Sequence, residues 1–216
     1  MTKDIEKIGI LFDLDGVLID SEGLYSEFWA SMDRMYPTGI ENFAAYIKGT
    51  TLPSILSHFR PEQRDDVERR IHAYEDEIRY PIFPGVIEFL AELKGQGIPS
   101  AIVTSSDNVK MEVLFSQHPV LKTAVDVIIT GSDVKKSKPD PEGYLTAAKA
   151  IGRLPENCFV FEDSLQGLEA GRRAGAVVVG IATTNPRSKV EPLSDITVDN
   201  FSDINLKRLL SYAANH

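Results

Sequence analysis

Two carboxylates stand two positions apart directly after the first apolar segment of the chain. This segment, residues 8–12, is unbroken in its apolar character, and Asp13, Asp15 and Gly16 follow it. An unbroken apolar run is typical of a strand that is buried on both faces of a parallel sheet. Since open α/β sheets bind ligands beyond the carboxyl ends of their strands, we predict that Asp13 and Asp15 face a ligand site.

Polar side chains also follow the later apolar runs, which are residues 99–103, 125–130, 158–161 and 176–181. A doubly wound fold can bring groups at these strand ends around one point. The candidate groups are Thr104, Ser105 and Ser106 after residues 99–103, Lys138 after residues 125–130, and Glu162 and Asp163 after residues 158–161.

The chemistry that needs this set is transfer of a phosphoryl group through an aspartate. One carboxylate can attack phosphorus and form an aspartyl-phosphate, while a second protonates the leaving oxygen and then activates water. Two further acids can hold Mg²⁺, which prefers oxygen ligands and offsets phosphate repulsion. A hydroxyl and a lysine can hold the transferring oxygens. The set therefore predicts phosphoryl transfer with Mg²⁺ as the cofactor.

Helical patterns with clear start signals separate the apolar runs from residue 84 onward. Pro84 and Gly85 open one pattern, Pro141 opens another, and Ser164 or Asp163 caps a third. This alternation of strands and helices predicts a doubly wound, Rossmann-like α/β domain with a parallel sheet.

Residues 16–82 break this alternation, because they carry only helical patterns. Apolar spacing predicts a helix around residues 24–35, a short helix around 55–59 and a third helix after Pro61. A parallel crossover needs about a dozen residues, and this segment is far longer. We predict a small helical cap at residues 16–82, inserted into a core domain of residues 1–15 and 83–216. The alternative is a long helical crossover inside a single domain.

The composition excludes several classes of protein. The 216 residues are 43% hydrophobic and 25% charged, which is ordinary for a globular chain. With 23 Lys and Arg against 32 Asp and Glu, the net charge is −9, which argues against nucleic acid or an anionic membrane as a partner. Cys158 is the single cysteine, so no internal disulfide is possible. Without a signal-peptide or membrane-spanning pattern, we predict a cytoplasmic monomer.

Four segments in order resemble the four motifs of the haloacid dehalogenase superfamily. Within it, the chain is similar to the branch of β-phosphoglucomutases and sugar-phosphate phosphatases, and the resemblance spans nearly the whole chain. The segments are DLDGVLIDSE at residues 13–22, VTSS at 103–106, SKPDP at 137–141 and FEDS at 161–164.

This resemblance implies a role for each matching residue. Asp13 would be the nucleophile, Asp15 the general acid and base, and Lys138 the lysine of the third motif. Mg²⁺ would be held by Asp13, by the backbone carbonyl of Asp15, and by the acids of the fourth motif, Glu162 and Asp163. Other residues would contact substrate or phosphate. These are Thr104, Ser105, Ser106 and Asn108, together with Gly49 and Thr50 in a segment that resembles the substrate-contacting loop of the cap.

Three functions stay open at this point. The first is a phosphatase for a small phosphorylated metabolite, such as a sugar or polyol phosphate. The second is a β-phosphoglucomutase-type mutase, and the third is a non-catalytic phosphate-binding module. Mutases of this branch carry an arginine where this chain has Leu52 and a histidine where it has Tyr25. These departures favour the phosphatase, and the complete set of acids argues against the non-catalytic module.

Simpler structural roles are predicted for several other polar residues. Asp20 and Ser21 are expected to cap the first helix of the cap, because both residue types favour that position. The histidines show no metal-ligand spacing and are predicted to be surface residues; they are His58, His72, His118 and His216.

Overall fold

A six-stranded parallel sheet forms the centre of the protein, in a computed structural model that describes residues 7–215. The N-terminal residues 1–6 of the predicted core and His216 lie outside the described residues. The strands are β1 (Gly9–Phe12), β2 (Ser100–Val103), β3 (Val127–Ile129), β4 (Cys158–Glu162), β5 (Val177–Ile181) and β6 (Ile196–Val198). The strand order is β3-β2-β1-β4-β5-β6, so the predicted doubly wound α/β fold is confirmed.

Burial on both faces explains why the strands are visible in the sequence. Every residue of β1, β2 and β4 is buried, and consecutive side chains enter opposite layers. Phe12 packs on one face with Phe161, at a ring-centroid distance of 5.0 Å, whereas Leu11 packs on the other face with Val160. The sixth strand was not predicted, because its three residues at the sheet edge are too short to form a recognisable run.

Helices cover both faces of the sheet, and those predicted at residues 84, 141 and 164 are present. The α-helices from residue 86 onward are α5 (Val86–Gly95), α6 (Asn108–Gln117), α7 (Pro119–Ala124), α8 (Glu142–Ala150), α9 (Leu165–Arg173), α10 (Arg187–Val190) and α11 (Leu206–Asn215). The sequence patterns did not identify α6, α7, α10 and α11.

Four further helices lie between β1 and α5 and build an apolar cluster of their own. Its buried side chains include Phe28, Trp29, Phe43, Phe59 and Ile71. No helix within residues 7–215 is both long and apolar enough to cross a membrane. The four helices are α1 (Glu22–Met35), α2 (Phe43–Tyr46), α3 (Leu52–Leu56) and α4 (Pro61–Glu77).

The start of α9 packs directly against the end of β4. Ser164 is the N-cap of α9, and its hydroxyl accepts a hydrogen bond from the backbone N–H of Gly167 at 3.0 Å. A Cβ atom at Gly167 would overlap the fully buried carboxylate of Glu162. The absence of a side chain at Gly167 therefore lets the helix approach the end of the strand.

We expect Gly167→Ala to lower the free energy of unfolding by about 2–4 kcal/mol, because the added methyl group must displace a buried carboxylate. Urea denaturation followed by circular dichroism measures this change. Gly95→Ala is the matched control, since nothing lies within 4 Å of the added methyl group at the end of α5. The control should stay within about 1 kcal/mol of the wild type. Equal stability of the two variants would contradict the proposed close packing.

Candidate active site

The candidate groups gather where the strand order reverses. β1 lies between β2 and β4, and ligands of open α/β sheets bind at such a point. The backbone N–H of Asp13 donates to the carbonyl of Phe161 at 2.9 Å, and that of Thr104 donates to Ile129 at 2.9 Å. Both residues therefore extend the hydrogen-bond ladders of the sheet by one position, which fixes their side chains at its carboxyl edge.

The ammonium group of Lys138 connects two buried carboxylates. Its Nζ atom lies 2.6 Å from Oδ1 of Asp13 and 2.5 Å from Oε1 of Glu162, and it also donates to the carbonyl of Val103 at 3.4 Å. Burial alone would lower the pKa of Lys138, but attraction to Asp13 and Glu162 outweighs burial and raises it. Lys138 therefore keeps its positive charge in the interior.

Glu162 has no solvent exposure and is surrounded by donors. Besides Lys138, the Tyr144 hydroxyl donates to Oε1 at 2.6 Å. The hydroxyl and backbone N–H of Ser164 donate to Oε2 at 3.0 and 3.2 Å, and the N–H of Asp163 donates to it at 3.1 Å. Since both carboxylate oxygens already accept hydrogen bonds, Glu162 is placed to orient Lys138 and the start of α9.

Asp163 stands in contrast to Glu162. Only 1% of the residue is exposed, and neither carboxylate oxygen accepts a hydrogen bond from the described residues. Ligand atoms of Asp13, Glu162 and Asp163 all lie within 4.8 Å of one another. A cation would satisfy the unpartnered oxygens of Asp163, and an all-oxygen donor set suits Mg²⁺. The residues present therefore fit the Mg²⁺ that the sequence predicts.

The same burial shifts the proton affinity of both aspartates in this group. Burial, together with repulsion from Glu162, raises the pKa of Asp13 to about 8, against the opposing attraction of Lys138. Burial also raises the pKa of Asp163, and the neighbouring acids Glu162, Glu22 and Asp13 add to the effect. Without a divalent cation, protonation relieves part of the crowded negative charge.

A second lysine, which sequence reasoning missed, binds Asp15. Lys110 is 4% exposed, and its Nζ atom lies 2.6 Å from each carboxylate oxygen of Asp15. The Ser106 hydroxyl donates to Asp15 at 3.0 Å, and the Ser21 hydroxyl also donates to it. Burial alone would raise the pKa of Asp15, but Lys110 and the hydroxyl donors lower it. The one available signal was that Lys110 lies in the first turn of the helix after the second motif.

Ser21 shows a different role from the one predicted. It occupies the N-cap position of α1, but its side chain makes no capping hydrogen bond. Its hydroxyl instead donates to the carboxylate of Asp15. The predicted side-chain cap is therefore wrong, and the hydroxyl belongs to the polar network of the site.

A cavity of about 110 Å³ opens above Asp13 and Asp15. Thr104, Ser105 and Ser106 line it from the sheet side, and Gly49 and Thr50 line it from the helical side. The Ser105 hydroxyl donates to the carbonyl of Gly49 at 2.8 Å, so the predicted loop and the strand end are in contact.

Asn108 alone among the predicted contact residues does not line this cavity. It is exposed at the start of α6, and its Oδ1 atom accepts a hydrogen bond from the Thr130 hydroxyl at 3.0 Å. In this arrangement its amide helps to join α6 to the end of β3.

The far wall of the cavity is largely apolar. Tyr25, Trp29 and Leu52 are among the side chains that form it. Lys48 also lines the cavity, but its Nζ atom lies 2.7 Å from a carboxylate oxygen of Glu22. The positive charge of Lys48 is therefore already paired.

Comparison with known proteins identifies related chains. The model of the haloacid dehalogenase-like hydrolase family matches residues 10–181. Hexitol phosphatase A of Escherichia coli is 34% identical over 181 residues, which cover 80% of this chain and 82% of the relative. Validoxylamine A 7′-phosphate phosphatase of Streptomyces hygroscopicus subsp. limoneus is 33% identical over 186 residues, covering 81% and 85%.

A solved structure shares the fold over almost the whole length of both chains. β-Phosphoglucomutase from Clostridium difficile superposes with a TM-score of 0.80 at 23% identity, covering 96% of each chain. At this level of identity the likeness concerns the fold.

We expect Lys110→Met to lower the free energy of unfolding by about 2 kcal/mol at pH 7, because the part-buried carboxylate of Asp15 loses its charged partner. The pKa of Asp15 is lowered in the folded protein, so this contribution is present above the ordinary aspartate pKa of about 4 and is lost as the pH falls below it. The difference between variant and wild type should therefore shrink in acid.

Urea denaturation at several pH values measures this difference. Lys149→Met is the control, since Lys149 is exposed on α8, and it should change stability by less than about 0.5 kcal/mol at every pH. A destabilisation of Lys110→Met that does not depend on pH would contradict the role given to the pair.

Proposed function

Since the chain belongs to the haloacid dehalogenase-like hydrolase family, we propose that it is a Mg²⁺-dependent phosphatase that acts through an aspartyl-phosphate. The substrate would be a small phosphorylated metabolite, namely a sugar or polyol phosphate. The observation that carries this proposal is the position of Asp13, bound by Lys138 at 2.6 Å and adjacent to the unpartnered carboxylate of Asp163. The similarity to hexitol phosphatase A and to validoxylamine A 7′-phosphate phosphatase supports it.

Asp13 would act as the nucleophile. Lys138 holds Oδ1, so the other oxygen would attack phosphorus, forming an O–P bond while the ester P–O bond breaks. The hydroxyl of Thr104 and the ammonium of Lys138 would hold the non-reacting phosphoryl oxygens. Mg²⁺ would be held by Asp13, the carbonyl of Asp15 and Asp163, and it would offset the negative charge of the phosphoryl group. Glu162 would support this set through Lys138.

Asp15 would supply a proton to the leaving oxygen and later take one from the attacking water. The lowered pKa of Asp15 favours its ionised form, which suits the second of these steps. For the first step Asp15 must carry a proton, so its contact with Lys110 would have to loosen when substrate enters. Lys110 also lies over the ring of Tyr25, 4.2 Å from its centroid, which links this contact to α1.

Residues 16–82 would form the movable cap over a core of residues 1–15 and 83–216. Closure of the cap would exclude water while the phosphoryl group transfers, and opening would release product. The contact between Ser105 and Gly49 is consistent with a closed arrangement. The apolar wall with Trp29 and Tyr25 suits the carbon skeleton of a sugar or polyol.

Two features of the cavity favour hydrolysis over a mutase reaction. A mutase must hold a second phosphate far from Asp13, which an unpaired arginine or lysine would serve. Here Leu52 is apolar and Lys48 is paired with Glu22.

We expect Asp13→Asn to reduce phosphate release from sugar and polyol phosphates by at least about a thousandfold, because the amide cannot act as the nucleophile. The wild type should lose activity in EDTA and regain it with Mg²⁺. Asp20→Asn is the control, since Asp20 is exposed, and it should keep wild-type activity. Phosphate release by folded Asp13→Asn at the wild-type rate would exclude the aspartyl-phosphate mechanism.

A second assay separates the phosphatase from the mutase. With β-glucose 1-phosphate and a bisphosphate primer, we expect inorganic phosphate to form and glucose 6-phosphate to stay negligible. Leu52→Arg adds a cation to the far wall and should raise the ratio of isomerisation to hydrolysis, because it would hold a second phosphate. Isomerisation by the wild type that is faster than phosphate release would support the mutase.

A further inference from the structure

A second group of ligand-type side chains lies between α4 and the start of α6. It consists of His72, Glu75 and Asp107, whose ligand atoms all lie within 4.8 Å of one another. His72 and Glu75 are three positions apart on α4, so they share one face of the helix. None of the three belongs to the group formed by Asp13, Glu162 and Asp163, although Glu75 and Asp107 also line the cavity above Asp13 and Asp15. The prediction that His72 is a surface residue is therefore incomplete, since its ring faces Asp107.

Hydrogen bonds orient all three side chains, and Glu75 keeps one carboxylate oxygen without a partner among the described residues. Asp107 is the N-cap of α6, and its Oδ1 atom accepts from the backbone N–H of Lys110 at 3.0 Å. Its Oδ2 atom lies 3.2 Å from Nε2 of His72. The Tyr25 hydroxyl donates to Oε1 of Glu75 at 2.9 Å. The three side chains are thus held in place by the protein, and a cation would replace the hydrogen bond between His72 and Asp107.

The remaining oxygen of Glu75 is the independent sign of a ligand. Glu75 is only 5% exposed, and Oε2 has no hydrogen-bond partner among the described residues. A buried carboxylate oxygen without a partner destabilises the folded state, so such oxygens are normally satisfied. A cation between Glu75, His72 and Asp107 would satisfy it.

The donor set indicates which cation would bind. One imidazole nitrogen and two carboxylates suit Zn²⁺ and neighbouring divalent transition metals, whereas Mg²⁺ prefers oxygen alone. Two ligands of a tetrahedral zinc ion, with bonds of about 2.0–2.1 Å, lie about 3.3 Å apart. The 3.2 Å between Nε2 of His72 and Oδ2 of Asp107 agrees with this spacing.

We propose that His72, Glu75 and Asp107 form a second cation site, for a divalent transition metal such as Zn²⁺. The bound ion would join α4 to α6 at the N-terminus of the helix that carries Lys110. It would therefore fasten the helical segment between β1 and α5 to the sheet side of the molecule. This binding does not depend on the proposed phosphatase activity.

The test measures Co²⁺ binding by visible absorption in the full-length protein with the Asp163→Ala substitution, which weakens the other acidic group. We expect one Co²⁺ per chain to remain bound in this background. Adding Asp107→Asn should weaken this binding by at least about tenfold, because the amide loses the charge but keeps the acceptor that caps α6. Adding His72→Ala or Glu75→Gln should have the same effect, and the amide of Glu75→Gln keeps an acceptor for Tyr25.

His58→Gln in the same background is the matched control, because it removes a histidine outside the group, and it should leave Co²⁺ binding unchanged. Thermal unfolding provides a second readout, in which Zn²⁺ should raise the Tm of Asp163→Ala but not of Asp163→Ala with Asp107→Asn. Absence of Co²⁺ binding by folded Asp163→Ala would overturn the proposal. Binding that survives the Asp107, His72 and Glu75 substitutions would overturn it too. Either result leaves the phosphatase proposal untouched, since no activity is measured.

Discussion

The buried ammonium group of Lys138, held between Asp13 and Glu162, is the interaction on which the site depends. Removing one partner of such a buried pair leaves an uncompensated charge in the interior, which is strongly destabilising. Lys110 plays the corresponding role for Asp15. Asp163 has no such partner among the described residues. The site therefore contains four carboxylates and only the two ammonium groups of Lys110 and Lys138, so two negative charges remain when all four acids are ionised. One divalent cation would balance these two negative charges. Without a cation, the raised pKa values of Asp13 and Asp163 favour their protonation, which lowers the negative charge of the site.

The order of the strands explains how this charge cluster can form. β1 and β4 are parallel neighbours, so their carboxyl ends bring Asp13 and Glu162 to one edge of the sheet. The segment after β3 brings Lys138 to this edge, and Tyr144 of α8 donates to the same oxygen of Glu162 as Lys138 does. The burial of the apolar strands thus fixes the positions of polar groups that are far apart in the sequence.

The helices between β1 and α5 complete the cavity and connect it to a second polar cluster. Tyr25 of α1 lies under the ammonium of Lys110 and donates to Glu75 of α4. Asp107 starts α6 and faces His72, so the helical segment contacts the same helix that carries Lys110. A structural change where α4 contacts α6 would therefore affect Asp15 through the side chain of Lys110.

The sequence by itself determined the parallel sheet and the groups at its edge, because burial on both faces leaves unbroken apolar runs and the polar residues follow them directly. It also determined α1 and α4 through their apolar spacing, whereas the short helix expected around residues 55–59 lies earlier in the chain, at α3 (Leu52–Leu56). The tertiary structure alone decided that Lys110 pairs with Asp15, which is 95 positions away. It also decided that both carboxylate oxygens of Glu162 accept hydrogen bonds and that His72 contacts Asp107. These contacts join side chains of distant segments, and no local pattern records which polar residue will face which. The short edge strand β6 escaped prediction for a related reason, since its pairing with β5 defines it more than its three residues do.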